Sequence, residues 1–315
     1  MKLIKPSYNI IEQQPGLIGI YKQIEKAGRI CYKSEDKITE DSAEAFVQKM
    51  VDSKHYAMLE HGTVYLKIPI EVDSHSHIVG RLKYLDNPYS KVVEHLWDYY
   101  VTTNFRVIIE NGWDDDIKYL CEPTEYHEKR HAVHFIADAG VMREFFRHRV
   151  FSMAQESTRY CNYSKAKFDE NITCIIPSWS NLKEGYYGYE CETSVDMHGG
   201  IPVIKEGYLY SKKLITTEKE ANKAKFINDS NTPFINSLTT AECCYFKLLE
   251  SGWKPQQARI VLPLSIKAEG IMTGFASDWR HFCDLRAIGT TGTPHPQAKE
   301  LAEPLMQEFK QKRYI

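Results

Sequence analysis

The densest group of side chains able to do chemistry lies in the segment FRHRVFSMAQESTRY, residues 146–160. Arg147 and Arg149 supply planar, permanently charged guanidinium groups, which can bind phosphate oxygens in pairs. Ser152 and Ser157 add short hydroxyl donors of the kind that surround a bound anion. The segment therefore predicts a phosphate or nucleotide site, and a solvated, charged loop is an equally open alternative.

Two further arginines stand in distinctive surroundings. Arg259 lies within the apolar segment ARIVLP, residues 258–263. A buried guanidinium group without a partner is costly, so we expect Arg259 to meet an anion, either a structural carboxylate or a ligand. Arg286 ends the segment WRHFCDLR, in which Asp284 is able to neutralise a neighbouring charge, so this segment alone indicates little.

Several standard motifs are absent from the sequence. There is no GxGxxG fingerprint and no GxxxxGK[ST] loop, which excludes the usual dinucleotide fold and the phosphate loop of nucleotide hydrolases. Without a GxSxG elbow, Ser157 is not supported as a hydrolase nucleophile. His75 and His77 form an HSH pair, but no third ligand of suitable spacing stands nearby, so a metal site is not predicted. The lone His61 before a predicted strand suits a structural role as well as a functional one.

The elements that must position these residues follow from hydrophobic periodicity. Helical spacing predicts helices over 41–53, 79–99, 140–146, 238–251 and 296–312. Short alternating runs predict strands over 63–68, 105–110 and 132–136. The segment 168–216 is rich in Tyr, Gly and Ser and predicts surface loops and short helices. This mixture favours an α+β fold over a regular array of βαβ units.

Composition limits the class of protein. The chain has 315 residues, 43% hydrophobic, with 40 basic against 42 acidic residues, so a surface devoted to nucleic acid is not expected. No apolar run is long enough to cross a membrane and no signal peptide is recognisable, which predicts a cytoplasmic protein. The eight cysteines form no CxxC pair, which excludes a zinc knuckle. No linker or repeat is visible, so one domain spanning 1–315 is predicted.

The arginine segment resembles the signature of the flavin-dependent thymidylate synthases, the ThyX family, which is RHR followed after seven residues by Ser. Arg147-His148-Arg149 and Ser157 fit it. Three further blocks match in the same order along the chain. They are Glu60-His61, the segment 258–263, and Leu285-Arg286 with the later His295 and Gln297.

The resemblance implies an α+β domain of mixed helices around a small antiparallel sheet, with insertions at approximately 70–130 and 175–225. It implies a homotetramer whose sites are shared between subunits, with neither a nucleic acid nor a membrane as partner. The implied reaction makes dTMP from dUMP. Methylenetetrahydrofolate would be the one-carbon donor, NADPH the reductant and FAD the cofactor.

The resemblance also implies a role for each site residue. Arg286 would be catalytic, binding the uracil ring and favouring its ionisation at N3. The implied dUMP pocket consists of Glu144, Phe145, Phe146, Arg147, Gln155, Glu156, Ser157, Thr158, Arg159, Arg259 and Arg286. The implied FAD site consists of His61, Thr63, Arg147, His148, Arg149, Gln155, Phe275, Ala276, Ser277, His281 and His295.

The chain departs from the family pattern at several positions. Ala154 and Gln155 stand where the motif has Asn and Glu, and Glu156 places an acid one position later. Glu144 replaces the usual Gln upstream of the signature, which puts a carboxylate near a predicted phosphate site. An insertion, Gly289 to Pro294, precedes His295.

Two other functions remain open. One is a protein that senses dUMP or binds RNA through Arg147, Arg149 and Arg159, beside the aromatic rings of Phe145, Phe146 and Phe151. The near-neutral charge weakens the RNA version. The other is a flavoprotein that oxidises NADPH without methylating. The presence of Arg286, Arg259 and Ser157 favours the synthase, because an oxidase needs no dUMP pocket.

Overall fold

The computed structural model describes residues 1–71, 82–159, 161–165, 170–189, 197–198, 201–202, 214–215 and 231–315. These residues form two compact units. The first unit contains Met1–Pro6, Asp138–Gly140 and Thr158–Lys267, and the second contains Ser7–Ala137, Val141–Ser157 and Ala268–Ile315. Helices combine with small, largely antiparallel sheets, so the predicted α+β class is confirmed. The assignment of the whole chain to one domain stays a prediction.

The helices and strands are numbered in chain order. The helices are α1 (Gly16–Tyr32), α2 (Ser42–Asp52), α3 (Phe105–Asn111), α4 (Ala139–Phe145), α5 (Thr232–Glu250), α6 (Pro255–Ala258), α7 (Ala276–Cys283) and α8 (Pro296–Gln311). The strands are β1 (Lys2–Ile4), β2 (Ser7–Ile11), β3 (Thr63–Pro69), β4 (Lys91–His95), β5 (Asp98–Asn104), β6 (Arg130–Asp138), β7 (Ser152–Gln155), β8 (Thr173–Ile175), β9 (Gly185–Tyr186), β10 (Gly188–Tyr189), β11 (Met197–His198), β12 (Ile201–Pro202), β13 (Leu214–Ile215) and β14 (Lys267–Phe275). Within the described residues, no helix is both long and apolar enough to span a membrane.

The second unit is built around a four-stranded sheet of order β2-β6-β14-β7. β2 runs antiparallel to β6, and β7 antiparallel to β14. Phe135 of β6 packs against Trp279 and Phe282 of α7, and α8 covers the same core with Leu305 and Phe309, all fully buried. Each such side chain contributes roughly 1.5–3 kcal/mol by leaving water. The core fixes α7 and α8 against the sheet that carries the signature segment.

A second core in the same unit lies between helices α1 and α2 and an antiparallel three-stranded sheet of order β3-β5-β4. Ile20 and Ile24 of α1 belong to this buried cluster together with Val64 and Leu66 of β3. The register pairs Thr63 with Asn104 at one end of this sheet. This arrangement fixes the entry to β3, where the predicted flavin contacts His61 and Thr63 stand.

The first unit is organised around β1, which pairs with β8 in parallel and with β9 in antiparallel orientation. The amino group of Met1 is buried, donates to the Tyr187 carbonyl at 3.0 Å and forms an ion pair with Glu242 of α5 at 2.8 Å. Leu3 and Tyr245 are completely buried in the core of this unit. Burial of the charged amino terminus is therefore compensated by a carboxylate.

Two predicted elements around residue 100 are wrong. The helix predicted over 79–99 is replaced, in its described part, by strands β4 and β5, and residues 72–81 lie outside the described residues. The strand predicted over 105–110 is helix α3, because the Asn104 side chain accepts a hydrogen bond from Val107 N at 3.2 Å and caps it. Gly112, at φ +64°, ends the helix. Local capping outweighs the β propensity of Val107, Ile108 and Ile109 here.

The remaining predicted helices and strands are confirmed in part. The helices over 41–53, 140–146 and 296–312 and the strands over 63–68 and 132–136 are confirmed within a few residues. The helix predicted over 238–251 begins earlier, at Thr232, and Thr239 Oγ1 donates to the Ile235 carbonyl within it at 2.9 Å. The described parts of 168–216 contain short strands and no helices.

His61 is a fully buried, titratable group in the second unit. Its Nδ1 lies 2.8 Å from Thr273 Oγ1. Burial, and secondarily the charge of Arg130, lowers the pKa of His61 to about 3. The folded protein therefore holds this imidazole neutral, whereas the unfolded chain takes up a proton below about pH 6.5.

We predict that the free energy of unfolding decreases as the pH falls from about 6.5 towards 3, because protonation of His61 favours the unfolded chain. This histidine contributes up to about 1.4 kcal/mol per pH unit. His61→Gln removes the titration, so urea unfolding at a series of pH values should give a shallower dependence for the variant. Equal slopes for the two proteins would contradict the prediction.

Candidate functional site

The signature segment forms a turn between α4 and β7 in which exposure alternates. His148 N donates to the Phe145 carbonyl at 3.1 Å, and Phe151 N donates to the His148 carbonyl at 3.2 Å. Arg147 and Arg149 are exposed, whereas His148 between them is buried. Among the described residues, neither arginine side chain forms a hydrogen bond or an ion pair. Both guanidinium groups are thus available to an anionic ligand.

Arg286 is held against this turn by three hydrogen bonds. Its Nη1 lies 2.9 Å from Glu144 Oε2, its Nη2 donates to the Glu144 carbonyl at 2.9 Å, and its Nε donates to His148 Nε2 at 3.1 Å. A guanidinium group carries five N–H bonds, so two remain for a ligand. The Arg286 side chain is 19% exposed. The predicted catalytic residue is therefore oriented by protein contacts and still able to donate.

His148 acts as a neutral acceptor in this group. Burial, then the charge of Arg286 and that of His281, lowers the pKa of His148 to about 4. Because Nε2 accepts from Arg286, the proton of the neutral ring lies on Nδ1. The ring packs at 5.1 Å from that of Phe282, and at 6.1 Å from that of His281. His148 thus positions Arg286 without adding charge.

Arg286 lies on an unusual stretch of backbone. Asp284–Ile288, directly after α7, forms a π-helix that ends at Gly289, whose φ is +83°. Gly289 N donates to the Asp284 carbonyl at 2.8 Å, five residues back. A Cβ at position 289 would lie 2.7 Å from both Gly292 O and Pro294 Cδ, so only glycine fits. Such π-turns are frequent at functional sites.

The residues after the turn are fixed by the sheet. Gln155 of β7 pairs with Gly270 of β14, and Glu156 N donates to the Glu269 carbonyl at 2.8 Å. Ser157 N donates to the Cys31 carbonyl at 3.2 Å. Gln155 and Ser157 are partly exposed, whereas Glu156 is buried. The signature serine therefore sits where the sheet edge meets the end of α1.

A cluster of charged residues, which the sequence analysis did not predict, lies next to this edge of the sheet. Lys33 Nζ lies 2.7 Å from Glu269 Oε1, and His134 Nε2 lies 3.4 Å from Glu269 Oε2. Burial by itself lowers the pKa of Lys33, but the carboxylates of Glu156, Glu269 and Glu35 outweigh it and raise the pKa. The cluster compensates the buried acid at Glu156, and no spacing in the sequence indicates it.

The predicted flavin contacts His61, Thr63 and Phe275 surround an arginine that sequence reasoning missed. Arg130 Nη1 donates to Glu60 O at 3.0 Å and lies 3.5 Å from Thr63 Oγ1, and Nη2 donates to Ser152 Oγ at 3.1 Å. Its guanidinium group lies 5.5 Å from the centre of the Phe275 ring. Because His61 itself is completely buried, its assignment as a flavin contact stays a prediction.

The other predicted flavin contacts lie on α7 and directly before α8: Ala276 and Ser277 begin α7, and His281 lies in its last turn. Ala276 is buried, whereas Ser277 and His281 are exposed. Ser277 N donates to Glu128 Oε1 at 3.1 Å. His295 is exposed and immediately precedes α8. The structure brings His281 close to His148, and the roles of these residues stay predictions.

Three residues of the predicted dUMP pocket belong to the first unit. Arg259 Nη1 donates to Thr158 Oγ1 at 3.1 Å, and Arg159 Nε donates to Gln256 Oε1 at 3.1 Å. The expectation that the apolar segment buries Arg259 is wrong, because both Arg259 and Ile260 are exposed. A 3-10 turn over Arg259–Val261 directs them outward, and the partner of Arg259 is a neutral hydroxyl group.

Two aromatic residues of the predicted dUMP pocket differ in burial. Phe145 is completely buried in the core, and Phe146 is partly buried at its margin. Within the described part of the chain, no three His, Cys, Asp or Glu residues are placed to hold a metal ion. His75 and His77 lie outside the described residues.

Comparison with known proteins gives a family match. No curated protein matches the chain in a sequence search. Two similar solved structures are crystal structures of a UMP/dUMP methylase PolB from Streptomyces cacaoi. The one bound with 5-Br dUMP has 15% identity and a TM-score of 0.41, covering 99% of this chain and 93% of that chain. The one bound with 5-Br UMP has 14% identity and a TM-score of 0.41, covering 99% and 92%.

A likeness at this TM-score is too weak to support an argument about function. The family model described as thymidylate synthase complementing protein, in contrast, matches residues 130–313, which is more than half of the 315 residues. The matched region contains the signature turn, Glu144 and the π-helix with Arg286. The chain therefore belongs to the thymidylate synthase complementing protein family.

Proposed function

We propose that this protein is a flavin-dependent thymidylate synthase, which methylates dUMP to dTMP with methylenetetrahydrofolate as one-carbon donor and NADPH as reductant. The observation that carries the proposal is the arrangement around Arg286. Glu144 and His148 orient its guanidinium group through three hydrogen bonds and leave two N–H bonds for a ligand. The family membership and the full RHR and Ser signature support the same assignment.

The donor set of the signature turn suits FAD. A dinucleotide cofactor carries a negatively charged diphosphate. Arg147 and Arg149 present two exposed guanidinium groups that form no hydrogen bond or ion pair with a described residue. Ser277 adds an exposed hydroxyl group. These residues would hold FAD, together with the other predicted contacts. When bound, the flavin supplies hydride chemistry that protein side chains lack.

The protein's own contribution to the reaction is positioning and electrostatics. The two remaining N–H bonds of Arg286 donate to the uracil ring of dUMP, and its charge stabilises the negative charge that develops when N3 ionises. His148 stays neutral at pH 7 and fixes the plane of the guanidinium group. Ser157 contributes a binding hydroxyl and no nucleophile, since activation comes from Arg286.

The phosphate of dUMP requires cationic partners. Arg159 and Arg259 are both exposed in the first unit. Arg159 Nε donates to the Gln256 side-chain oxygen, and Arg259 donates to the neutral Thr158 hydroxyl group, which leaves the positive charge of Arg259 unneutralised. We propose that they meet the dUMP phosphate, in a homotetramer whose subunits share the sites.

The alternative of RNA binding loses support from burial. That function needs aromatic rings on which bases stack. Phe145 is 0% exposed and Phe151 is 6% exposed, and both belong to the hydrophobic core of the second unit. Their rings are engaged by Phe282 at 5.0 Å and by Trp279 at 4.6 Å, respectively. An RNA strand would find no stacking platform at these two positions.

We predict that Glu144→Gln increases the affinity for dUMP. The amide keeps a hydrogen bond to Arg286 but removes the negative charge that offsets the guanidinium group at 2.9 Å. A partly exposed ion pair contributes up to about 1 kcal/mol, so the Kd of dUMP should decrease by about threefold to fivefold. Isothermal titration with dUMP measures this, and Glu110→Gln, which breaks an ion pair with Arg106, is the matched control. Weaker binding in Glu144→Gln alone would contradict the prediction.

We predict that Arg286→Gln abolishes dTMP formation and leaves most FAD bound, because the change removes the charge beside uracil and spares Arg147 and Arg149. The assay is an anaerobic incubation with FAD, NADPH, dUMP and methylenetetrahydrofolate, followed by mass analysis of the nucleotide. Arg280→Gln, an exposed arginine on α7, is the control and should retain activity. If the wild-type protein, loaded with flavin, returns dUMP unchanged, the proposed function is wrong.

A further inference from the structure

Lys33 is a charged residue of the second unit that the predicted dUMP pocket does not include. It ends helix α1 in the left-handed region, at φ +47° and ψ +57°. It also lies outside residues 130–313, which match the family model. The Lys33 side chain is only 19% exposed, so its ammonium group is largely enclosed by the protein.

Three carboxylates act on the Lys33 ammonium group. Its Nζ lies 2.7 Å from Glu269 Oε1 and 3.3 Å from Glu35 Oε1. Burial would lower the pKa of Lys33, but the charge of Glu156 is the strongest of the influences that raise it. The Glu156 side chain belongs to the signature segment and is buried. Lys33 is therefore the counter-charge for a carboxylate inside that segment.

The end of α1 is also joined to the signature segment through the backbone. Ser157 N donates to the Cys31 carbonyl at 3.2 Å, two residues before Lys33. Burial alternates along the segment, because Gln155 and Ser157 are partly exposed and Glu156 between them is buried. The two side chains that a ligand can reach are thus neutral, and the negative charge between them lies in the interior.

The balance of charge behind these two residues depends on the lysine. Lys33, Glu156 and Glu269 carry one positive and two negative formal charges. The ligand proposed for Gln155 and Ser157 is itself anionic, since dUMP carries a phosphate and its uracil ring gains negative charge when N3 ionises. In a partly buried site, water screens charges weakly, so a carboxylate without its counter-charge repels such a ligand over several ångströms.

We propose that Lys33 is a positioning residue of the dUMP site, which holds the Glu156 carboxylate in the interior and cancels its repulsion of the nucleotide. Lys33 does not touch dUMP and acts through Glu156. The inference rests on the proposed function, because it requires that the segment with Gln155 and Ser157 binds dUMP.

The test is isothermal titration of the FAD-loaded, full-length protein with dUMP. Lys33→Met should raise the Kd at least about tenfold, whereas Lys33→Arg, which keeps the charge, should stay within about twofold of the wild-type value. Lys54→Met is the matched control and should leave the Kd unchanged, because Lys54 also has a positive φ, +56°, but is exposed. Circular dichroism and thermal unfolding establish that each variant is folded.

A double-mutant cycle separates this role from a merely structural one. In a Glu156→Gln background the charge that Lys33 balances is absent, so Lys33→Met should raise the Kd at most about twofold there. An equal loss of affinity in both backgrounds overturns the inference, and so does unchanged dUMP binding by folded Lys33→Met. If Lys33→Met does not fold, Glu156→Gln alone decides: tighter dUMP binding supports the inference, and unchanged or weaker binding overturns it.

Failure of the proposed function gives a different result. If the flavin-loaded wild-type protein does not bind dUMP, the proposed function and the role of Lys33 are both overturned. If the wild-type protein binds dUMP and forms dTMP but folded Lys33→Met has the same Kd, only the role of Lys33 is overturned.

Discussion

The guanidinium group of Arg286 makes three hydrogen bonds, two to Glu144 and one to His148, and these contacts join the signature turn to the π-helix. The position of the Arg286 guanidinium group depends on both partner residues. His148 is an acceptor because burial holds it neutral, and Glu144 supplies both a carboxylate and a carbonyl oxygen from the end of α4. Gly289 permits the π-helix that presents Arg286, since any side chain there would collide with the following loop. The hydrophobic core around Trp279 and Phe282 holds α7, from which the π-helix continues.

The same unit distributes its charges in two different ways. At the edge of the sheet, Lys33 is surrounded by carboxylates, so the buried acid Glu156 has a counter-charge nearby. Around Arg130 the hydrogen-bond acceptors are neutral, and the carboxylates of Glu60 and Asp278 stabilise the buried cation without hydrogen-bonding to it. The unit therefore supports one buried charge by direct ion pairs and the other by neutral acceptors and more distant charges.

The departure from the family pattern at position 144 acquires a physical meaning in the structure. A carboxylate at this position is costly beside a phosphate, but it is favourable beside a guanidinium group. Glu144 is bonded to Arg286, so its charge is directed at the arginine. The second departure, Gln155, lies on β7 opposite Gly270, where the sheet fixes its backbone whatever its side chain. The fold thus tolerates both changes.

The sequence by itself determined the α+β class, the family through its RHR and Ser signature, and the elements α2, α4, α8, β3 and β6, because these depend on local spacing and on short motifs. It failed where local and long-range forces compete, as at residues 105–110, where an Asn cap makes a helix of a β-prone run.

Only the tertiary structure decided what each arginine contacts. The apolar segment around Arg259 predicts a buried side chain, but Arg259 is exposed. Arg130 belongs to no sequence motif, yet it is buried beside Thr63 and Ser152. The physical reason is that burial of a charge is set by contacts between residues far apart in the chain, and a single sequence carries no spacing that encodes them.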